Sequence, residues 1–282
     1  MTKENMGRKF RDTLVETIKA AGDVVESTID ITRNATVDTL HGVRDVVREA
    51  SGLTGDTIAG AIHAANEVGT ELGSTAKGAV IGVIQGVGEI TTVTVGVMSD
   101  TIRAAIKGTS EVGGDVAKVT QDAAEGAIST TKSVGLGLED AAFSIARGAI
   151  KGTKEVGGDI GLTAKSTIQG TIKGTQEIGG DVIQAIEVTT RGLIKGTGEV
   201  GGDVAVVAKR AVEGAIEGAK GVGLKAEDAA SAAATGAVEA AGEISEAAVT
   251  AVTNAVSGTI SGVRVMVKAP FKKQSRRSRK KQ

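Results

Sequence analysis

Charged residues recur along the chain with a spacing of four, as in Lys151, Glu155 and Asp159. Carboxylates repeated on one helix face supply the oxygen ligands that divalent cations prefer. A solvated helix face with weak pairing between residues four apart accounts for the same pattern. Because a lysine accompanies the carboxylates and neutralises their charge, the sequence favours the solvated face. We therefore expect no metal ion and no other cofactor.

Histidine and cysteine, the usual residues of catalytic and metal sites, are scarce. The chain has no cysteine, and its two histidines, His41 and His63, stand where other repeats carry lysine. They are one repeat unit apart, about 33 Å along a continuous helix, so they cannot share a metal. The sequence also lacks the P-loop, HExxH and EF-hand patterns, and no histidine is placed for a Ser–His–acid triad. The prediction is a protein that is not an enzyme.

Cations are concentrated at the C-terminus, where Pro270 ends the helical pattern. Residues 268–282 hold eight of the 33 cations and no acid, whereas residues 1–267 hold 25 cations against 34 acids. Such tails are typically disordered and attract polyanions, here anionic lipid, nucleic acid or an acidic protein. A tail that only aids solubility is the alternative. The predicted polyanion-binding residues are Lys268, Lys272, Lys273, Arg276, Arg277, Arg279, Lys280 and Lys281.

The composition argues against an ordinary globular enzyme. Of the 282 residues only 1% are aromatic, while 41 are glycine, about twice the usual share. Large aromatic side chains normally supply much of a compact core, so alanine, valine, isoleucine and threonine must replace them. The N-terminus is charged and has no apolar segment, which predicts the absence of a secretion signal and an intracellular location.

A 22-residue repeat organises the chain. The strings IKGTSEVGGDV, IKGTKEVGGDI, IKGTQEIGGDV and IKGTGEVGGDV begin at residues 106, 150, 172 and 194, and each unit divides into two halves of 11. An aliphatic residue marks the start of all twelve units in the grid. These node residues are Ile18, Leu40, Ile62, Ile84, Ile106, Ile128, Ile150, Ile172, Ile194, Ile216, Val238 and Ile260.

Eleven residues correspond to three turns of a helix with 3.67 residues per turn. On such a helix the node residues and other small apolar positions form one stripe of roughly 130°. We therefore predict an all-α protein of long amphipathic 11/22-residue-repeat helices, extended or folded into helical hairpins, with a disordered basic tail. Residues 1–17 lead in, residues 18–267 form twelve helical repeats, and residues 268–282 form the tail. The stripe either faces lipid or packs against other helices.

Glycine weakens such a helix, since each interior glycine costs about 0.8–1 kcal/mol relative to alanine. The helix either forms only on a surface or partner, or uses its glycines for close packing between backbones. A third interpretation places a turn between short helices at each Gly-Gly pair. Equivalent positions hold Gly-Thr at 69 and Thr-Thr at 91, so we expect no helix breaker there.

Two features bear on lipid contact. Residues 78–99 contain one charge, Glu89, and resemble a membrane span in length, but their glutamine, glycine and threonine favour a more buried part of the same amphipathic helix. A basic residue often flanks the apolar stripe, where its stem would lie on apolar surface with its charge at headgroup level. These flanking residues are Arg33, Lys77, Lys165 and Lys209.

The units GTKEVGGDIG, GAIKGTKEVGG and AVEGAIEGAKGVG resemble the 11-residue repeats of synucleins and perilipin-type lipid-droplet coat proteins. They are more distantly similar to exchangeable apolipoproteins and late-embryogenesis-abundant proteins. The resemblance covers roughly residues 7–267 and implies a chain that folds on a lipid surface. The Gly-Gly-Asp in place of a second lysine, and the acidic body, depart from that pattern.

Three functions follow as hypotheses. The first is a non-enzymatic protein whose helix lies peripherally on a membrane, lipid droplet or granule. The second is a self-associating structural protein of packed helices, forming a bundle or a filament. The third is a stress protectant like the late-embryogenesis-abundant proteins, which are usually more hydrophilic than this chain.

Overall fold

The chain folds into a stack of helices closed at its C-terminal end by a β-hairpin. A computed structural model describes residues 12, 13, 15, 16, 23–41 and 46–267, with no side-chain description for 46–53. Eleven helices and two strands lie in these residues. They are α1 (Val24–Leu40), α2 (Val46–Val68), α3 (Leu72–Ile90), α4 (Val95–Glu111), α5 (Val116–Ser129), α6 (Leu138–Glu155), α7 (Ile160–Glu177), α8 (Val182–Glu199), α9 (Val204–Gly221), α10 (Ala226–Gly242), α11 (Glu246–Val256), β1 (Gly258–Ile260) and β2 (Val263–Val265).

Each repeat unit of the central region forms one helix and one turn. Helices α5 to α10 begin at positions 116, 138, 160, 182, 204 and 226, in step with the repeat. The all-α prediction is confirmed for these residues. The preferred interpretation of a helix running through Gly-Gly is wrong, and the chain also leaves the helix at residues 69 and 91, where no breaker was expected.

Gly-Gly-Asp ends one helix and starts the next. After α6, Gly157 has a φ of +70°, which only glycine adopts without strain. The amide of Gly158 donates to the carbonyl of Thr153 at 2.9 Å, which satisfies an otherwise free carbonyl of the last turn. Asp159 then caps α7, since its Oδ1 accepts from the amides of Gly161 and Leu162 at 2.8 and 3.0 Å.

The helices form two layers, because each helix packs mainly on the helix two places away and less on its direct neighbour. One layer contains α1, α3, α5, α7 and α9, and the other contains α2, α4, α6, α8 and α10. Helices within a layer run parallel. Gly170 of α7 lies on Gln121 of α5, and one turn further along both helices Gly174 lies on Glu125. The core lies between the layers and continues along the stack.

Glycine makes the packing within a layer close. A Cβ on Gly192 of α8 would lie 2.6 Å from the carbonyl oxygen of Phe143 and 2.8 Å from the Cβ of Ala146, both on α6. A Cβ on Gly214 of α9 would lie 2.6 Å from the carbonyl oxygen of Lys165 on α7. Of the three interpretations offered for the glycines, the structure supports close packing between backbones at these interior positions and a turn between short helices at Gly-Gly pairs such as Gly157-Gly158.

Threonine serves as a core residue because most of its buried hydroxyls bond within their own helix. Thr109 and Thr197 are fully buried, and their hydroxyls donate to the carbonyls four residues earlier, each at 2.7 Å. The methyl group then packs like that of valine while the hydroxyl carries no desolvation penalty. Among the described residues, the buried hydroxyls of Thr171 and Thr175 are exceptions without a partner.

The end of the repeat region differs from the prediction. Residues 258–267 were expected to continue the last two helical units, but Gly258–Ile260 pairs with Val263–Val265 as an antiparallel hairpin. Ser261 and Gly262 both have positive φ, as the tight turns that match strand twist require. Ile260 and Val263 are buried against the last helices, so the hairpin covers the end of the core.

Replacing Gly192 by alanine is expected to destabilise the stack by about 1–3 kcal/mol, because the added methyl overlaps the backbone of α6. The matched control is Gly55→Ala in α2, where an added Cβ meets nothing within 4 Å. That variant should gain about 0.5–1 kcal/mol from helix propensity. Urea denaturation measures both, and an equal response at the two sites would contradict the close-packing role.

Replacing Asp159 by alanine is expected to lower the free energy of unfolding by about 0.5–2 kcal/mol, because α7 loses its N-terminal cap. Asp159→Asn keeps a side-chain oxygen that can accept both amides and should restore most of the loss. If the two variants lose the same stability in thermal melts, Asp159 acts through its charge and not through capping.

Candidate functional site

The predicted apolar stripe lies inside the stack. All eleven node residues within the described part of the chain are buried, with at most 6% of their surface exposed. Ile18 falls outside the described residues. The stripe is therefore covered by helices of the same chain. The buried nodes are Leu40, Ile62, Ile84, Ile106, Ile128, Ile150, Ile172, Ile194, Ile216, Val238 and Ile260.

The charged positions form rows of ion pairs between helices of one layer. Arg147 and Lys151 of α6 both reach Glu199 of α8, at 2.5 and 3.0 Å. The pattern recurs two repeat units later, where Arg191 and Lys195 of α8 reach Glu243, at 3.7 and 2.5 Å. We call these contacts the ion-pair rows. Further members are His63–Glu111, Arg103–Glu155, Lys77–Glu125 and Lys165–Glu217.

These pairs differ from the local pairing that the sequence suggested. Lys151 contacts Glu199, which lies two helices further along the chain. Asp159, the third member of the proposed local row, caps a helix instead. His63 takes the place of a lysine in its row, 3.3 Å from Glu111. The spacing of four therefore reflects contacts between helices more than contacts within one helix.

The cations proposed to lie at headgroup level have protein partners in three of four positions. Arg33, Lys77 and Lys165 each contact a glutamate two helices along. The fourth residue, Lys209, is exposed on α9. An ion pair between helices explains the first three positions without lipid.

One cluster in the odd-numbered layer joins three helices. Lys77 of α3 contacts Glu125 of α5 at 2.6 Å and Glu177 of α7 at 3.1 Å. Burial by itself would lower the pKa of Lys77, but hydrogen bonds with the two carboxylates outweigh it and raise the pKa. Burial and the neighbouring Glu125 carboxylate raise the pKa of Glu177. Two carboxylates thus share one ammonium in this cluster.

Two further carboxylates have pKa values that shift in opposite directions. Burial would raise the pKa of Glu199, a member of the ion-pair rows, but hydrogen bonds from Arg147 and Lys151 prevail and lower it. Asp122 pairs with Lys118 of its own helix, and its burial raises the pKa more than this ion pair lowers it.

A shallow depression of about 360 Å³ lies on the even-numbered layer beside Phe143, Lys195 and Ile244. The Phe143 ring is 5.8 Å from both the guanidinium of Arg147 and the ammonium of Lys195, within range of cation–π attraction. The other charged groups that line the depression are Glu199 and Glu243, which already form ion pairs with Arg147 and Lys195. The described residues that line it include no serine, threonine, cysteine or histidine.

Residues 78–99 lie mostly inside the fold. Gly78, Gly82 and Gly86 of α3 pack on the backbone of α1, which agrees with the predicted burial. The segment was also expected to be part of one amphipathic helix, but residues 91–94 separate α3 from α4. Within the described residues, none of the helices combines the length and apolar character needed to cross a bilayer. The same part of the chain contains no group of acidic, histidine or cysteine side chains placed to hold a metal ion.

The predicted polyanion-binding residues, Lys268 to Lys281, lie outside the described residues, as does most of the segment 1–17. The sequence reasoning offered close packing as one role of the glycines without locating the layer contacts, and it missed the capping aspartates. A Gly-x-x-x-Gly spacing, as in Gly192 and Gly196, and an aspartate directly after Gly-Gly were the available signals.

No family model matches this chain, and a comparison with curated proteins finds no match either.

Glu199 and Asp122 are expected to change the acid sensitivity of the fold in opposite directions. The folded-state pKa of Glu199 lies below its ordinary 4.5, so its stabilising effect is present above that value and is lost as the pH falls through the folded pKa. The folded-state pKa of Asp122 lies above its ordinary 3.8, so acidification through that interval favours the fold.

Glu199→Gln should therefore weaken the rise of stability with pH, and Asp122→Asn should steepen it. Urea denaturation at several values between about pH 3 and pH 7 measures both slopes. Slopes that change in the same direction in both variants would contradict the pKa assignments.

Proposed function

We propose that this chain is a non-enzymatic structural protein, in which stacked helices form a self-supporting rod that associates with further copies. The observation that carries the proposal is the burial of the node residues between helices of the same chain. A protein that coats lipid keeps such a stripe available for acyl chains. Here the stripe supplies the core.

The contacts are spread evenly along the stack, which favours a structural scaffold and not a protein built around one binding pocket. From α1 to α10, helices two places apart contact each other in much the same way, through glycine, threonine and the ion-pair rows. In repeat architectures of this kind, stability is the sum of local units and contacts between neighbours. A rod of this type presents long, regular surfaces, which suit repeated contacts with a partner.

A lipid-surface function, at a membrane, droplet or granule inside the cell, is the competing proposal. It is supported by the resemblance to 11-residue-repeat coat proteins and by two exposed apolar side chains on adjacent helices of one layer, Leu162 at 46% and Val206 at 48%. Using the main stripe for lipid would require the layers to separate. Each fully exposed isoleucine would then cost about 1.5–3 kcal/mol until lipid covered it. A desiccation-protectant role ranks third.

Circular dichroism of the full chain in buffer distinguishes these proposals. We expect mostly helical signal without lipid and a cooperative thermal melt, because the apolar stripe is already covered. Vesicles of phosphatidylcholine with phosphatidylglycerol should leave the helix content unchanged. A chain that is mostly coil alone and becomes helical and floats with vesicles would overturn the scaffold proposal.

The basic tail requires a control in this experiment. Flotation that disappears at high salt, without a change in helix content, indicates electrostatic attachment of a folded stack through the tail. Flotation that resists salt and accompanies a gain in helix indicates insertion of the stripe. The scaffold proposal accommodates the first outcome and fails with the second.

A further inference from the structure

The solvent-facing side of α1 is acidic. Its exposed residues include Glu26, Asp30, Asn34 and Asp38, each four positions after the previous one. Such a step advances about 6 Å along a helix and about 40° around it, so these side chains follow one ridge of the helix surface. We call this ridge the acidic face of α1.

Neighbouring cations compensate this face only in part. Arg33 lies 3.5 Å from Asp30 and 3.7 Å from Glu89 at the end of α3, so one guanidinium is shared between two exposed carboxylates. Glu26 and Asp38 are exposed as well. A carboxylate surplus on an exposed helix face attracts a cationic segment over the distance of a Debye length, about 8–10 Å at moderate salt.

The tail carries cations at the same spacing. Lys268, Lys272, Arg276 and Lys280 follow one another at intervals of four, and Lys273, Arg277 and Lys281 form a second row one position further on. The tail and the acidic face of α1 are therefore complementary in charge.

Chain length decides whether the tail reaches its own α1. The described chain ends at Val267, directly after β2, which packs on α10 at the opposite end of the stack. From α9 to α1 there are four helix-to-helix steps in one layer, about 32–40 Å at 8–10 Å per step. The link from Val267 to Lys272 spans only about 17 Å when fully extended. The full cationic row therefore cannot lie on the acidic face of the same copy.

We propose that residues 268–282 of one copy dock on the acidic face of α1 of a second copy. This inference rests on the proposed structural function and names the contact through which copies associate. Such a contact joins different surfaces of two copies, so its repetition gives a closed ring or an open chain of molecules. The hairpin and α11 cover the apolar end of the stack, which leaves charged surfaces to make the connection.

A charge swap in the full chain tests the contact. One variant reverses the face with Glu26→Lys, Asp30→Lys and Asp38→Lys. The other reverses the tail with Lys272→Glu, Arg276→Glu and Lys280→Glu. Sedimentation velocity at about 20 mM salt should show association of the native chain, which about 500 mM salt abolishes. Each variant alone should sediment as a single copy, and an equimolar mixture of the two should associate again.

The control variant reverses three exposed acids elsewhere, with Asp56→Lys, Asp140→Lys and Asp228→Lys. It has the same net charge as the face variant and should associate like the native chain. Association that survives tail reversal, or a mixture that stays unassociated, overturns the proposed contact. Loss of association on face reversal alone, with the tail variant unaffected, points to another basic segment and also overturns it.

Circular dichroism of each variant separates this inference from the proposed function. Helical variants with a cooperative melt that fail the swap leave the self-supporting stack in place and remove only the contact between tail and face. A native chain that is mostly coil without lipid removes the scaffold proposal itself.

Discussion

The stack depends on the contact between the glycines of each helix and the backbone of the helix two places earlier. Gly148, Gly170, Gly192, Gly214 and Gly236 each meet a main-chain carbonyl of that helix, always at the same offset along the sequence. A helix rich in glycine is poor on its own, at a cost of about 0.8–1 kcal/mol for each interior glycine. Close approach offsets that cost by bringing whole helix surfaces into van der Waals contact. Without it, small side chains such as alanine and threonine would not fill the core.

Several other features follow from this contact. The glycine contacts fix the register of one helix along the other. This register brings Arg147 and Lys151 within reach of Glu199. The same register places the node isoleucines between the layers, where they pack against the partner layer. The exposed ion pairs contribute little stability individually, and their regularity follows from the packing beneath them.

The sequence predicted which residues face the core better than it predicted where the helices end and which helices pack together. The stripe beginning at each node was predicted from periodicity alone, because both a continuous helix and a series of short ones place Ile106 and Ile150 on the apolar side. The turns were missed because Gly157 and Gly158 were treated as weak helix formers, although Asp159 behind them is a strong capping residue. The partner of Lys151 was not predictable, since local spacing offers Glu155 and only the layered fold brings Glu199 close. The hairpin at Ile260 was missed because it keeps the apolar phase of the helical units.

Because successive helices alternate between the two layers, it matters whether the number of repeat units is odd or even. An additional pair of units lengthens both layers equally and leaves the closing hairpin and the exit of the chain on the same edge. A single additional unit reverses the direction of every helix after it and transfers each to the opposite layer. The strings at 106, 150 and 194 end α4, α6 and α8 in one layer, whereas the string at 172 ends α7 in the other layer. Duplication of a pair of units would keep the C-terminal end of the chain at the same edge of the stack. Duplication of a single unit would move it to the other edge.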